Sequence, residues 1–154
     1  MLPKKLQDKI DARARDSSLR SLGFRQDLID FSSNDYLGFS RSKEIYNKAC
    51  SILKQHNYQA NGATGSRLLT ANHPLYLDTE KQIATFHKTP SALIFNSGYD
   101  ANIGFFSSVP QRGDVILYDA LCHASIRDGI AMSHAKAYKF AHNNLQALEA
   151  LLEA

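Results

Sequence analysis

The 154 residues suffice for one ordinary domain with a core, and 44% hydrophobic against 21% charged residues is a globular balance that argues against a disordered chain. A net charge of +3, with basic residues scattered apart from a cluster between Lys4 and Arg25, gives little footing to nucleic acid and suits a phosphorylated or CoA-type ligand equally well. There is no apolar run of about 18 residues, and Met1-Leu2-Pro3-Lys4-Lys5 leads into charge rather than an apolar signal core, so the expectation is a cytoplasmic protein without a membrane span.

Residues 2–22 read as a polar, basic helix, and LIDFSSNDYLGF (28–39) as a short strand followed by turns. Ile45, Ala49, Ile52 and Leu53 fall at i, i+4, i+7 and i+8, which predicts a helix over 43–55. Cys50 within it and Cys122 further on have no CxxC spacing and read as reduced packing residues. NYQANGATGSRLLTAN (57–72) is a loop by composition, and Leu75, Thr79, Ile83 and Phe86 restore the helical period from 73 to 87. From there SALIF (91–95), VILYD (115–119) and KAYKFA (136–141) read as strands, alternating with helices over 98–108, 124–133 and 144–154. Such alternation implies right-handed βαβ crossovers and a mostly parallel sheet, so the class is α/β. The last helix meets residue 154 with no capping glycine and no following strand, and the chain reads as cut short.

Ligands of open parallel sheets bind at the carboxyl ends of strands, which draws notice to the turn after SALIF. Ser97 is a good N-cap and Gly98 brings no Cβ, so free N–H groups there would make an anion site, although an ordinary helix start has the same residues. His123, four residues beyond Asp119 at the end of the next strand, should reach the same edge. An imidazole there can stack on a flat ligand or move a proton; a helix-capping or surface histidine fits the pattern too. The other five histidines form no metal-ligand spacing, and Gly62 and Gly65 make neither a GxGxxG fingerprint nor a P-loop.

Taken in order, FSSNDYLG (31–38), GATGSR (62–67), FNSGYDAN (95–102), D-x-x-x-HAS-x-x-DG (119–129) and FAHNN (140–144) resemble the α-oxoamine synthases, fold-type I enzymes that use pyridoxal 5'-phosphate (PLP) to condense an amino acid with an acyl-CoA. FSSNDYLG looks most like the branch that joins L-alanine to a pimeloyl thioester with loss of CO2. The resemblance implies that the amides of Gly98 and Tyr99 hold the PLP phosphate and that His123 stacks on the pyridine ring and orients the bound substrate. It implies that Arg20 and Asn34 contact substrate and that the full-length protein is a homodimer; the histidine spacing already gives the expectation of no metal. Ala71, Tyr76 and Asn144 depart from the family's common Gly, His and Asp without removing a group assigned to chemistry. The family's Schiff-base lysine, its pyridinium-binding aspartate and its C-terminal domain are all implied to come later. The expectation is therefore an N-terminal helix and substrate-side segment over 1–40 and the first half of a PLP-binding domain over 41–154, inactive alone. A non-catalytic partner subunit is the alternative from another class, and glycine C-acetyltransferase and serine palmitoyltransferase are the rivals within the family. Lys88, in Thr85-Phe86-His87-Lys88, is a decoy for the Thr-x-x-Lys context, because it precedes the phosphate turn.

Overall fold

Helix α1 (Lys4–Arg15) opens the chain in a computed structural model that describes residues 2–23 and 28–153. Arg25 of the basic cluster and the final residue of the last expected helix lie outside that description. The chain divides into two units, Met1–Asn57 and Tyr58–Ala154.

In the first unit, α1 is shorter than its polar pattern predicts. Asp16, Ser17 and Ser18 stop it: Ser17 is left-handed (φ 52°), and the N–H groups of Ser18 and Leu19 both turn back onto the Arg13 carbonyl. Short polar side chains compete with the helix for backbone bonds, which is why they favour its ends. The short strand expected after residue 28 is not formed among the described residues. Asp30 accepts from the Ser32 N–H at 2.8 Å and Ser33 Oγ from the Asp35 N–H at 3.0 Å, so side chains satisfy this backbone locally instead of a strand ladder. Gly38, at φ 69°, then takes the left-handed turn into a 3-10 turn, Phe39–Arg41. Helix α2 (Lys43–Gln55) follows, its first turn capped by Ser42 Oγ accepting from the Ile45 N–H.

The second unit holds α3 (Pro74–His87), α4 (Gly98–Ser108), β1 (Val115–Asp119), α5 (Ala124–Met132), β2 (Lys136–Phe140) and α6 (Leu145–Leu152). β1 and β2 pair in parallel, in register from Val115 opposite Lys136 to Asp119 opposite Phe140, with α5 as the crossover and α6 packed on β2. The α/β class read from the alternation is the class observed. SALIF is the exception: residues 91–95 carry no regular secondary structure and pair with no strand among the described residues. A strand exists only with a partner, and alternation of apolar residues cannot supply one. Here the Ile94 N–H donates at 2.9 Å to Glu80 Oε1 of α3.

That carboxylate is a joint between three segments. Arg67, from the glycine-rich loop, grips both its oxygens at 2.6 and 3.0 Å, holds Asn72 with the rest of its fork, and lies 4.3 Å over the Tyr76 ring. The Arg67 fork and the Ile94 N–H bring the Glu80 carboxyl down from its ordinary 4.5 to about 2. A lowered carboxyl contributes stability above its unfolded value and loses it as pH falls through the folded one.

Ser125 is fully buried, with Ala71, Ala84, Ile116 and Ile130 nearly so, while Phe31, Leu68, Phe86 and Leu145 are exposed. The strongest packing joins α4 to α5, and Gly129 permits it. A Cβ there would come within 2.9 Å of Phe106 Cβ and 3.0 Å of the Asn102 carbonyl.

Two tests follow from this packing. Gly129→Ala should lower stability by about 1–3 kcal/mol through forced separation of α4 and α5, read as an earlier urea midpoint. A midpoint equal to the parent's would show that the contact yields freely. Glu80→Gln should lower the midpoint at neutral pH and flatten the acid loss of stability between about 4.5 and about 2. An unaltered acid profile would remove Glu80 from that role.

Candidate functional site

Ser97 is extended (φ −154°, ψ 162°) and caps α4, its Oγ accepting from the Asp100 N–H at 3.0 Å while its carbonyl accepts from the Ala101 N–H. The cap thus uses the third and fourth N–H groups of the helix. Those of Gly98 and Tyr99 have no acceptor among the described residues. A Cβ at Gly98 would meet nothing within 4 Å, so the space above the turn is open. Two unpaired N–H groups, the positive end of a helix and open space together suit an anion. The two amides picked out in the sequence are the two left free.

The Tyr99 hydroxyl donates to Asp128 of α5 at 2.6 Å, which holds the phenol's pKa above its usual value. This bond and the one from Asn102 Nδ2 to Ser125 Oγ at 2.9 Å tie the first two turns of α4 to those of α5.

His123 is the N-cap of α5. Its Nδ1 accepts from the Ser125 N–H at 3.2 Å and lies 2.7 Å from Ser125 Oγ, while the ring is exposed. The capping role is therefore real, and it leaves the ring available for another. His73 caps α3 in the same way, accepting from the Leu75 N–H at 3.2 Å, so capping alone distinguishes neither histidine. What sets His123 apart is the buried serine behind it.

Gly98, Tyr99 and His123 thus lie in one unit, at the N-termini of two helices joined by the Tyr99–Asp128 and Asn102–Ser125 bonds. Arg20 and Asn34 belong to the other: Arg20 is exposed in irregular chain beyond α1, and Asn34 is exposed in the Ser33–Asp35 turn. A concavity of about 680 Å³ runs along α2 beside Ile45, Lys48 and Ile52, and none of Arg20, Asn34, Gly98, Tyr99 and His123 lines it. Lys88 ends α3 as a left-handed C-cap (φ 54°, ψ 41°).

Asp119, the last residue of β1 and the first of the D-x-x-x-HAS block, has no role assigned from the sequence. It accepts from the Leu121 N–H at 2.7 Å, the Asn143 N–H at 3.0 Å and His142 Nδ1 at 2.9 Å, and these bonds take its carboxyl down to about 2. Two of the five sequence blocks, D-x-x-x-HAS and FAHNN, are therefore one structure. The signal was their recurrence at the ends of successive strands.

The aminotransferase class I and II family model matches residues 26–154. The 8-amino-7-oxononanoate synthase of Emericella nidulans is 47% identical over 131 residues, covering 82% of this chain and 31% of that protein. The chain thus spans about a third of the length of the curated relatives it matches. Among solved structures, the serine palmitoyltransferase of Sphingomonas wittichii is 31% identical with a TM-score of 0.69, over 77% of this chain and 29% of its own. Another serine palmitoyltransferase structure, 28% identical with a TM-score of 0.67 over 75% of this chain and 28% of its own, carries PLP as an internal aldimine. From the family match and these likenesses, the chain belongs to the aminotransferase class I and II family, in its fold-type I α-oxoamine synthase branch.

Proposed function

We propose that this chain contributes the cofactor-side half of the site in a PLP-dependent C-acyltransferase that condenses L-alanine with a pimeloyl thioester to 8-amino-7-oxononanoate, in biotin biosynthesis. The observation that carries the reading is the pair of unpartnered amides at Gly98 and Tyr99 on α4, together with an exposed imidazole that caps α5, the helix bonded to α4. A phosphate monoester is the anion such a turn accommodates, and the exposed face of His123 suits a flat heteroaromatic ring. PLP, when bound, supplies the electron sink for cleavage of bonds at the substrate's α-carbon.

In this reading the Gly98 and Tyr99 amides bind the phosphate, and His123 stacks on the ring and fixes its tilt. Arg20 and Asn34 take the substrate side, Arg20 as a cation and Asn34 as a hydrogen-bond donor for a carboxylate. Residues 1–40 form the substrate-side segment and 41–154 the first half of the cofactor domain, in a protein that is a homodimer when full length. The amine that carries the cofactor lies outside these residues, and Lys88, committed to a helix terminus, is not that group. Condensation is accordingly not expected from the 154 residues alone. Similarity to serine palmitoyltransferases favours a second reading with a different amino acid and a longer acyl chain on the same half-site.

Gly98→Val separates ligand from fold, because the protein leaves that space empty. The variant should keep the parent's circular dichroism and lose at least about tenfold in PLP affinity by absorbance titration, since the side chain occupies the phosphate's approach. Unchanged affinity would remove the phosphate assignment. For His123, Asn is the informative replacement, as it retains a good N-cap and removes the ring. In the full-length polypeptide, His123→Asn should leave the melting temperature near the parent's and reduce turnover on the order of 10²-fold. A rate within a few-fold of the parent's would leave His123 as a cap and nothing more.

A further inference from the structure

Ser125 has no exposed surface, yet it is polar and stands in the most tightly packed part of the fold, between His123 and Asn102. Its bonds can run in one direction only. The Ser125 backbone N–H is a donor under all conditions and points at His123 Nδ1 at 3.2 Å, so Nδ1 must offer its lone pair. Ser125 Oγ, 2.7 Å from the same nitrogen, can then approach only by donating its single proton to the lone pair, which the backbone N–H shares as the longer arm of a three-centre bond. With that proton committed, Oγ can only accept, and the group facing it at 2.9 Å must be the amide NH2 of Asn102. The ring proton of neutral His123 is left on Nε2, for which no described residue provides an acceptor.

We propose that Asn102 and Ser125 are positioning residues that fix His123 as its Nε2–H tautomer and set its ring plane. The order runs from Asn102 to Ser125 to His123, and its polarity is imposed by a backbone N–H that no side-chain rotation can reverse. His73 has the same cap without such a relay. The bonds exist without any ligand; their use in catalysis rests on the ring-stacking reading of His123 given above. They also restrict that use, since Nδ1 is already filled and His123 meets the site as a ring face and an Nε2–H donor, not as a base through Nδ1.

The test is long-range proton–nitrogen NMR on the 15N-labelled chain without PLP, at a pH where imidazole is neutral. His123 should show the Nε2–H signature, with His73 as internal comparison. Ser125→Ala removes the hydroxyl donor but keeps the backbone cap. Asn102→Asp keeps the shape but can only accept, which draws the serine proton away from the ring. Each should reduce the Nε2–H to Nδ1–H ratio of His123 roughly fivefold, the equilibrium worth of about one hydrogen bond, and leave His73 unaltered. An Nδ1–H or evenly mixed His123 in the parent overturns the proposal, and that measurement needs no variant to fold. A ratio untouched in both folded variants also overturns it. PLP titration of the parent is a separate arm: a correct tautomer in a chain whose full-length form ignores PLP would sink the cofactor reading and leave the relay standing.

Discussion

The approach of α5 to α4 at Gly129 is the contact on which the candidate site depends. Helices separate according to the side chains between them, and hydrogen to Phe106 Cβ and the Asn102 carbonyl is the smallest separation available. Only at that spacing can the Asn102 amide reach Ser125 and the Tyr99 hydroxyl reach Asp128, at 2.9 and 2.6 Å. The two helix starts are then fixed relative to each other by side chains rather than by the loops that precede them. Burying Ser125 completely would be unfavourable if its hydroxyl lacked partners; the helix spacing supplies Asn102 on one side, and the local cap supplies His123 on the other.

The approach to the turn is set separately, through Glu80. Residues 91–95 have no strand to pair with among the described residues, yet their course is fixed because the Ile94 N–H is held by a carboxylate that Arg67 holds in turn. The glycine-rich block that failed both nucleotide-binding patterns thus has a mechanical part in the site. Its arginine holds the carboxylate that receives the N–H of Ile94, in the segment that leads to Gly98.

Much of the second unit was legible because its elements are local. Periodicity gave α3, α4, α5 and β1 to within a residue or two, and Ser97 before Gly98 gave the cap that leaves two amides free. What was not legible depends on partners far along the chain. Glu80 is 13 residues from Arg67 and 14 from Ile94, and nothing in the local pattern marks it. Residues 91–95 have the composition of a strand, but pairing belongs to the sheet and not to the segment. Within the first unit, side-chain bonds from Asp30 and Ser33 override the apparent strand and give turns. His123 was visible as a candidate; the serine that orients it was hidden in plain sequence as an unremarked letter of HAS.

Asp119 also bears on the order in which the chain comes together. Its carboxylate holds the Asn143 N–H across 24 residues, and that donor cannot arrive until α5 has crossed over and β2 has aligned beside β1. Loop closure over such a distance must be met before the bonds that reward it form, so contacts of this kind slow folding. The helix caps at Ser97 and His123 need only their own neighbours. The Ser97–Gly98 turn and the imidazole can therefore take their local shapes early, whereas the sheet edge that Asp119 locks completes late, and only in the register that aligns Asp119 with Phe140.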